Sequence, residues 1–386
     1  MSLNVSDLSG DISQSEIRNM SIECDRLNGI NMSQGVCDLE LPLEIRSGLE
    51  VALNENHNHY SRYDGVEALR VAISNKMLSY NKIYANPKTD IVVSSGATGA
   101  FYSTCLALLN RGDEVIVFEP YYGYHVSTLI ASGVKPVFVS QNINDWSIDF
   151  NKLNDAINKK TKAILVCTPS NPSGRVLSLA EIKILSEIAE KNNLFIFSDE
   201  IYEYFIYDNL KHISPGSYPA LADRTITISG YSKTFSITGW RIGYSVSNEK
   251  WAKIIGYISD LIYVCAPTPL QHAVANGINK IPESYYRELQ SQYLEKRNLV
   301  CRTLSEIGLN PIIPQGAYYI LADVSKLPGK NSKEKAMFLL NKSTVASVPG
   351  SAFFSSEVGE NYVRFCYAKP TDVINEACRQ LIKLKD

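Results

Sequence analysis

The chain has 386 residues, of which 45% are hydrophobic and 20% charged, with a formal net charge of −2. That length exceeds the ~250–300 residues at which a single hydrophobic core stops growing, so two lobes are expected. The near-neutral balance gives no electrostatic reason for a nucleic-acid or anionic-membrane partner, no apolar run approaches the ~20 residues that span a bilayer, and the N-terminus lacks a signal-peptide pattern. Eight cysteines (24, 37, 105, 167, 265, 301, 366, 378) lack CxxC spacing, and the five histidines are dispersed apart from His57 and His59. A disulfide framework or a metal site is therefore not expected, and a reducing cytoplasm is the default location.

In chain order, the first ~30 residues suggest no more than a helix and an arm. Runs at 91–95, 115–118, 163–167, 194–198 and 225–229 then read as buried strands. They show little apolar/polar alternation, as in a mostly parallel sheet covered on both faces. Between them, residues 97–109 read as a helix ended by Asn110-Arg-Gly112, and Ser178-Leu-Ala-Glu181 has the form of a capping box opening a helix to about Lys191. A long helical pattern from Glu283 to Leu304 leads into a different region, where 316–322 and 362–366 look like strands. The expected architecture is α/β: a large domain over 46–281, with 1–45 and 282–386 forming a smaller α+β domain.

In open α/β sheets, ligands bind beyond the carboxyl ends of the strands. The polar groups of interest follow the strand runs in order. Gly96-Ala97-Thr98 opens a helix, where free N–H groups favour an anion. Glu119-Pro120-Tyr121-Tyr122 offers a ring that can stack on a flat heteroaromatic, and Thr168 to Gly174 turns sharply and presents the Asn171 amide. Asp199 and Tyr202 follow the fourth run; Ser232-Lys233-Thr234 and Gly239-Trp240-Arg241 follow the fifth. Taken singly, each is equally a turn, a helix cap or a solvated surface group. A lysine at the end of a buried strand can shed its proton and attack an aldehyde, and a nearby arginine can hold a phosphate. Together they point to covalently bound pyridoxal phosphate, whose Schiff-base lysine is accompanied by an acid at the pyridine nitrogen.

The order Gly-Ala-Thr, Pro-x-Tyr, Asn-Pro-x-Gly, Asp-x-x-Tyr, Ser-Lys, Arg resembles the class I aminotransferases of fold type I, related to aspartate aminotransferase, from about Gly35 to Arg364. The resemblance implies a role for each position. Lys233 would carry the cofactor and move the proton, Asp199 would pair with the pyridine nitrogen, and Tyr202 and Asn171 would hydrogen-bond the phenolate oxygen. Tyr122 would stack on the ring, while Ala97, Thr98, Ser232 and Arg241 would hold the phosphate. Arg364, helped by Gly35 and Asn171, would clamp the substrate α-carboxylate. Tyr60 matches a tyrosine that reaches the neighbouring subunit's phosphate, which implies a homodimer. Cis peptides before Pro120 and Pro172 are implied as well.

Two departures stand out. Gly230 replaces a serine that many relatives use for phosphate. The cations that dicarboxylate-specific branches use are also missing: this chain reads Ala266-Pro-Thr-Pro269 in one such place and Thr98 in the other. A buried dicarboxylate without a partner would cost several kcal/mol. Gly316-Ala-Tyr318-Tyr319 looks more like the kynurenine and glutamine branch. The expectation is an aminotransferase passing an amino group from an uncharged or aromatic L-amino acid to a 2-oxo acid by a ping-pong cycle. An aspartate-type enzyme, a C–S or β-lyase on the same scaffold and a non-catalytic cofactor sensor are the alternatives. Thr238-Gly239-Trp240-Arg241 leans towards transaminases, and no basic patch supports a DNA-binding sensor.

Overall fold

In the computed structural model the described residues are 6, 10, 14–37 and 39–385. The elements that build the site are, in chain order, α1 (Glu16–Arg26), β1 (Ile91–Ser95), α2 (Gly96–Leu108), β2 (Glu114–Glu119), α3 (Gly123–Ala131), β3 (Lys135–Ser140), β4 (Thr161–Cys167), α4 (Leu179–Asn192), β5 (Phe195–Asp199), β6 (Thr225–Gly230), β7 (Ile242–Val246), α5 (Glu283–Glu306), β8 (Tyr319–Asp323) and β9 (Tyr362–Cys366).

Seven strands form one sheet in the order β1-β7-β6-β5-β4-β2-β3, with only β7 antiparallel to its neighbours. The five expected strand runs all lie in it. Successive residues face opposite sides of a strand. Ile116, Ile164 and Ile196 therefore pack under Leu185 and Ile188 of α4, whereas Val117, Leu165 and Phe197 pack with Phe101 of α2 and Leu129 of α3. Burial on both faces accounts for the unbroken apolar runs. Two strands were not expected. β3 is an edge strand, partly exposed, and Pro136 within it depresses the strand signal. In β7, Gly243 and Ser245 interrupt the apolar pattern, yet the strand is wholly buried.

The capping box is present: Ser178 Oγ accepts from Glu181 N–H (3.2 Å), and Glu181 Oε2 accepts from Ser178 N–H (2.8 Å). The helix expected over 97–109 spans 96–108, and the long helix ends at Glu306. A smaller antiparallel sheet places β9 beside β8, with Leu321 opposite Arg364. β8 starts at Tyr319, later than the expected 316, because Ala317 adopts a left-handed φ of 56° and Gly316 bridges to Ile206. One apolar cluster joins Tyr293 and Leu304 of α5, Ile320 of β8, Val363 and Phe365 of β9, and Met20 and Cys24 of α1. The N-terminal helix is thus part of this core. The peptides before Pro120, Pro169 and Pro172 are cis. None of the eight cysteines is joined in a disulfide, and among the described residues no helix is long and apolar enough to cross a membrane.

Candidate active site

A cavity of about 490 Å³ opens where the carboxyl ends of β4, β5 and β6 meet the small sheet. Gly35, Ala97, Thr98, Tyr122, Asn171, Asp199, Tyr202, Ser232, Lys233, Arg241 and Arg364 all line it. Of the residues expected from the sequence, only Tyr60 lies elsewhere. It is 83% exposed on the loop between two helices.

Asp199 ends β5. Its Oδ1 accepts from the Ile201 N–H (3.1 Å), and its Oδ2 lies 2.9 Å from His125 Nε2. Both side chains are buried. The His125 ring meets Tyr122 edge-on, at 5.3 Å between centroids. His125 was not anticipated. It stands one helical turn after Tyr122 in α3, a spacing that places both on one face, but nothing local connects it to Asp199.

The turn after β6 carries Lys233, whose Nζ donates to the Gly35 carbonyl at 3.1 Å. Tyr285 of α5 anchors this turn by donating to the Thr234 carbonyl (2.6 Å). Burial pushes the Lys233 ammonium below the ordinary lysine range, and the nearby Arg241 adds to that. Arg241 itself has a left-handed φ of 58° and donates from Nη1 to the Thr238 carbonyl at 2.8 Å. Its guanidinium lies against Gly96, the first residue of α2. There a Cβ would collide with the guanidinium, and φ is +73°. The positive φ favours glycine here, and the missing Cβ lets the guanidinium take this position. The gap-free approach sets Arg241 beside the unpaired N–H groups of the first turn of α2, a combination suited to a phosphate.

Arg364 enters from β9. Its neighbours Val363 and Phe365 face the small-lobe core, so alternation turns Arg364 the other way. Nη1 donates to Asn171 Oδ1 (2.9 Å) and Nη2 to the Ser33 carbonyl (2.6 Å). The guanidinium lies over the rings of Tyr319 (4.3 Å) and Phe353 (4.7 Å). It is 1% exposed, its Nε has no partner, and no acid pairs with it among the described residues. Asn31 Oδ1 shapes the opposing loop by accepting from the N–H groups of Ser33 and Gln34. Tyr319 OH lies 3.0 Å from Tyr202 OH and so close to Gly35 that a Cβ there would overlap it. Burial pushes the Tyr202 phenol well above its ordinary range. Tyr319 was another omission: its position depends on the pairing of β8 with β9.

Behind this wall Glu200, Glu203 and His212 cluster closely enough to hold a metal ion. Lys76 Nζ already lies 2.5 Å from Glu203 Oε1, and His212 Nε2 lies 2.6 Å from Glu200 Oε2. The cluster thus has its own cationic partner and braces the turn that carries Tyr202.

The aminotransferase class I and II family model matches residues 28–381. The chain is 34% identical to the aspartate aminotransferase of Pyrococcus abyssi, over 97% of this chain and 96% of that protein. It is 33% identical to kynurenine–oxoglutarate transaminase 3 of Homo sapiens, over 92% and 84%. The solved structure of an aromatic aminotransferase from Pyrococcus horikoshii superimposes with a TM-score of 0.87 at 32% identity, covering 94% of this chain and 97% of that one. A lysine and a buried acid at adjacent strand ends, facing an unpaired guanidinium across one cavity, are thus set in a chain that belongs to the class I and II aminotransferases and is an amino-acid transaminase.

Proposed function

We propose that this transaminase binds pyridoxal 5′-phosphate in the cavity and carries an amino group from an uncharged or aromatic L-amino acid to a 2-oxo acid. The observation that carries the reading is Arg364: a guanidinium buried without an acid, its Nε unpartnered, facing Lys233 and Asp199. Burying a charge in this way costs several kcal/mol unless a ligand supplies the counter-charge. A substrate α-carboxylate has the planar geometry that a guanidinium fork matches.

The cofactor fits the residues present. Arg241, Ser232 and the start of α2 at Ala97 and Thr98 would take its phosphate. Asp199, fixed by His125, would face its ring nitrogen, and Tyr122 one ring face. Asn171 and Tyr202 would serve its phenolic oxygen. Bound there, it would supply the carbonyl that accepts the amino group and a ring that spreads negative charge. Lys233, its proton loosened by burial, would act as base and acid at the donor Cα. Tyr60, exposed here, would complete the phosphate site of a second copy in a homodimer. Residues 46–281 would form the cofactor-binding domain, the remainder the substrate-clamping one, in a cytoplasmic enzyme.

The relatives' names range over aspartate, aromatic and kynurenine substrates. Purified holoenzyme should convert phenylalanine or kynurenine to the oxo acid beyond one equivalent per site only when a 2-oxo acid acceptor is supplied. Release of pyruvate and ammonia from a sulfur-containing donor without an acceptor would instead mark a lyase.

A further inference from the structure

Tyr319, the first residue of β8, stands in the cavity wall between Tyr202 and the Arg364 guanidinium. Its hydroxyl lies 3.0 Å from that of Tyr202. Both phenols are nearly sealed from solvent, Tyr319 at 2% exposure and Tyr202 at 4%. Among the described residues neither hydroxyl has another hydrogen-bond partner.

The pair is enclosed on three sides. The Tyr202 ring meets Tyr318 and Tyr319 edge-on, at 5.1 and 5.7 Å between centroids, which fixes where its hydroxyl lies. Gly35 approaches the Tyr319 hydroxyl so closely that a Cβ would overlap it. The Gly35 carbonyl is already taken by Lys233 Nζ (3.1 Å) and Tyr318 OH (3.4 Å). The Arg364 guanidinium covers the face of the Tyr319 ring at 4.3 Å.

Two hydroxyls that share one bond carry two protons. One lies between the oxygens, and the other belongs to the accepting hydroxyl and must point elsewhere. Were Tyr202 the donor, its proton would be withdrawn from the cavity, and the Tyr319 proton would be buried against Gly35 without an acceptor, which is costly. With Tyr319 as donor, the Tyr202 proton is available to an acceptor in the cavity. Burial pushes the Tyr319 phenol above its ordinary range, with the Arg364 charge pulling the other way, so Tyr319 keeps a proton to donate.

We propose that Tyr319 is a positioning residue whose hydroxyl donates to Tyr202 and so holds the Tyr202 proton towards the phenolic oxygen of the cofactor. This rests on the cofactor reading given above. Linked hydrogen bonds strengthen one another by roughly 10–30%. A donor at the phenolic oxygen stabilises its negative charge, which otherwise helps to retain the proton on the nitrogen joining Lys233 to the cofactor. With the two-tyrosine chain intact, that nitrogen loses its proton at a lower pH.

The test is a pH titration of the visible band of the holoenzyme, which follows that nitrogen, in wild type, Tyr319→Phe, Tyr202→Phe and the double variant. Tyr202→Phe removes a charge-assisted bond and should raise the midpoint by about one to two pH units. Tyr319→Phe should raise it by roughly 0.2–0.6 unit. In the Tyr202→Phe background the same change should add less than about 0.1 unit, because the hydroxyl then has nothing to act through. Tyr319→Phe keeps a ring beneath Arg364, so its affinity for 3-phenylpropionate, an unreactive carboxylate, should stay within about twofold of wild type. An unshifted midpoint in Tyr319→Phe, or an equal shift in both backgrounds, would overturn the inference. Weakened carboxylate affinity with an unshifted midpoint would overturn it too and assign Tyr319 to the clamp alone. Wild type that shows no visible band with added cofactor would refute the cofactor reading itself, and the inference with it.

Discussion

Arg364 stands in the structure at a cost to folding. With 1% of its surface exposed and no acid beside it, its charge is offset only by Asn171, the Ser33 carbonyl and two aromatic faces. Replacing such a group with an apolar side chain of similar length is often neutral or stabilising. Arg364→Met should therefore melt at the same temperature as wild type or above it. Its kcat/KM for every amino donor should fall by about two orders of magnitude or more, as expected when about 3 kcal/mol of charge-assisted bonding is removed. A variant that loses stability and activity together would contradict the view that the guanidinium is kept for its ligand. Lys233 makes a similar point through pH. Burial lowers its folded-state pKa from the ordinary 10.5, so the unfolded chain holds that proton more tightly. Its contribution to stability is unfavourable at neutral pH and is relieved as pH rises from the folded value towards 10.5. In apoprotein, Lys233→Met should be more stable than wild type near pH 7, and the advantage should shrink towards pH 10. A pH-independent difference would mean that Lys233 is not perturbed.

The elements position these residues by contacts that differ in how far they reach along the chain. The first turn of α2 meets Arg241 only because Gly96 has no Cβ and takes a positive φ. Gly96→Ala should lower phosphate and cofactor affinity roughly tenfold or more, by displacing the guanidinium and straining the turn. Equilibrium dialysis with the cofactor measures this, and unchanged affinity would show that Arg241 does not hold the phosphate. Much of the architecture was legible because buried parallel strands leave unbroken apolar runs, and each polar motif follows one of them. Asp199, Asn171 and Lys233 could be placed by that rule alone. β3 and β7 could not, since an edge proline and a Gly-Ser alternation erase the local pattern. His125 and Tyr319 share another difficulty. Each reaches the cavity through packing between segments far apart in sequence, to which no single window of residues is sensitive. Arg364 shows the limit from the other side: as an isolated strand residue it reads as a surface ion pair, and only its register beside Leu321 and its bond to Asn171 turn it inward.

At the scale of the whole molecule, the large sheet supplies the floor of the cavity and the small sheet with α1 supplies its roof, so the residues proposed for chemistry and for substrate recognition come from different cores. The one expected site residue outside the cavity, Tyr60, is 83% exposed, as its proposed contribution to a second copy would require. If the enzyme is a symmetric dimer sharing Tyr60, inactive Lys233→Ala and impaired Tyr60→Ala chains should complement each other. Random mixing gives half heterodimers with one intact site each, hence about one quarter of wild-type activity. Mixtures no more active than Tyr60→Ala alone would place the whole site within one chain.

The central claim is that Lys233, Asp199 and Arg364 cooperate to move an amino group from donor to cofactor, and it can be read without any acceptor. Purified holoenzyme should show a visible absorption band from the lysine-bound cofactor, and stoichiometric phenylalanine or kynurenine should bleach it while releasing one equivalent of oxo acid. The Arg364→Met protein should fail to bleach on the same timescale, and Lys233→Ala, which cannot form that band, should release no oxo acid when loaded with cofactor and given the same donors. A band that persists with every amino donor, or oxo acid released equally fast by Lys233→Ala, would contradict the account.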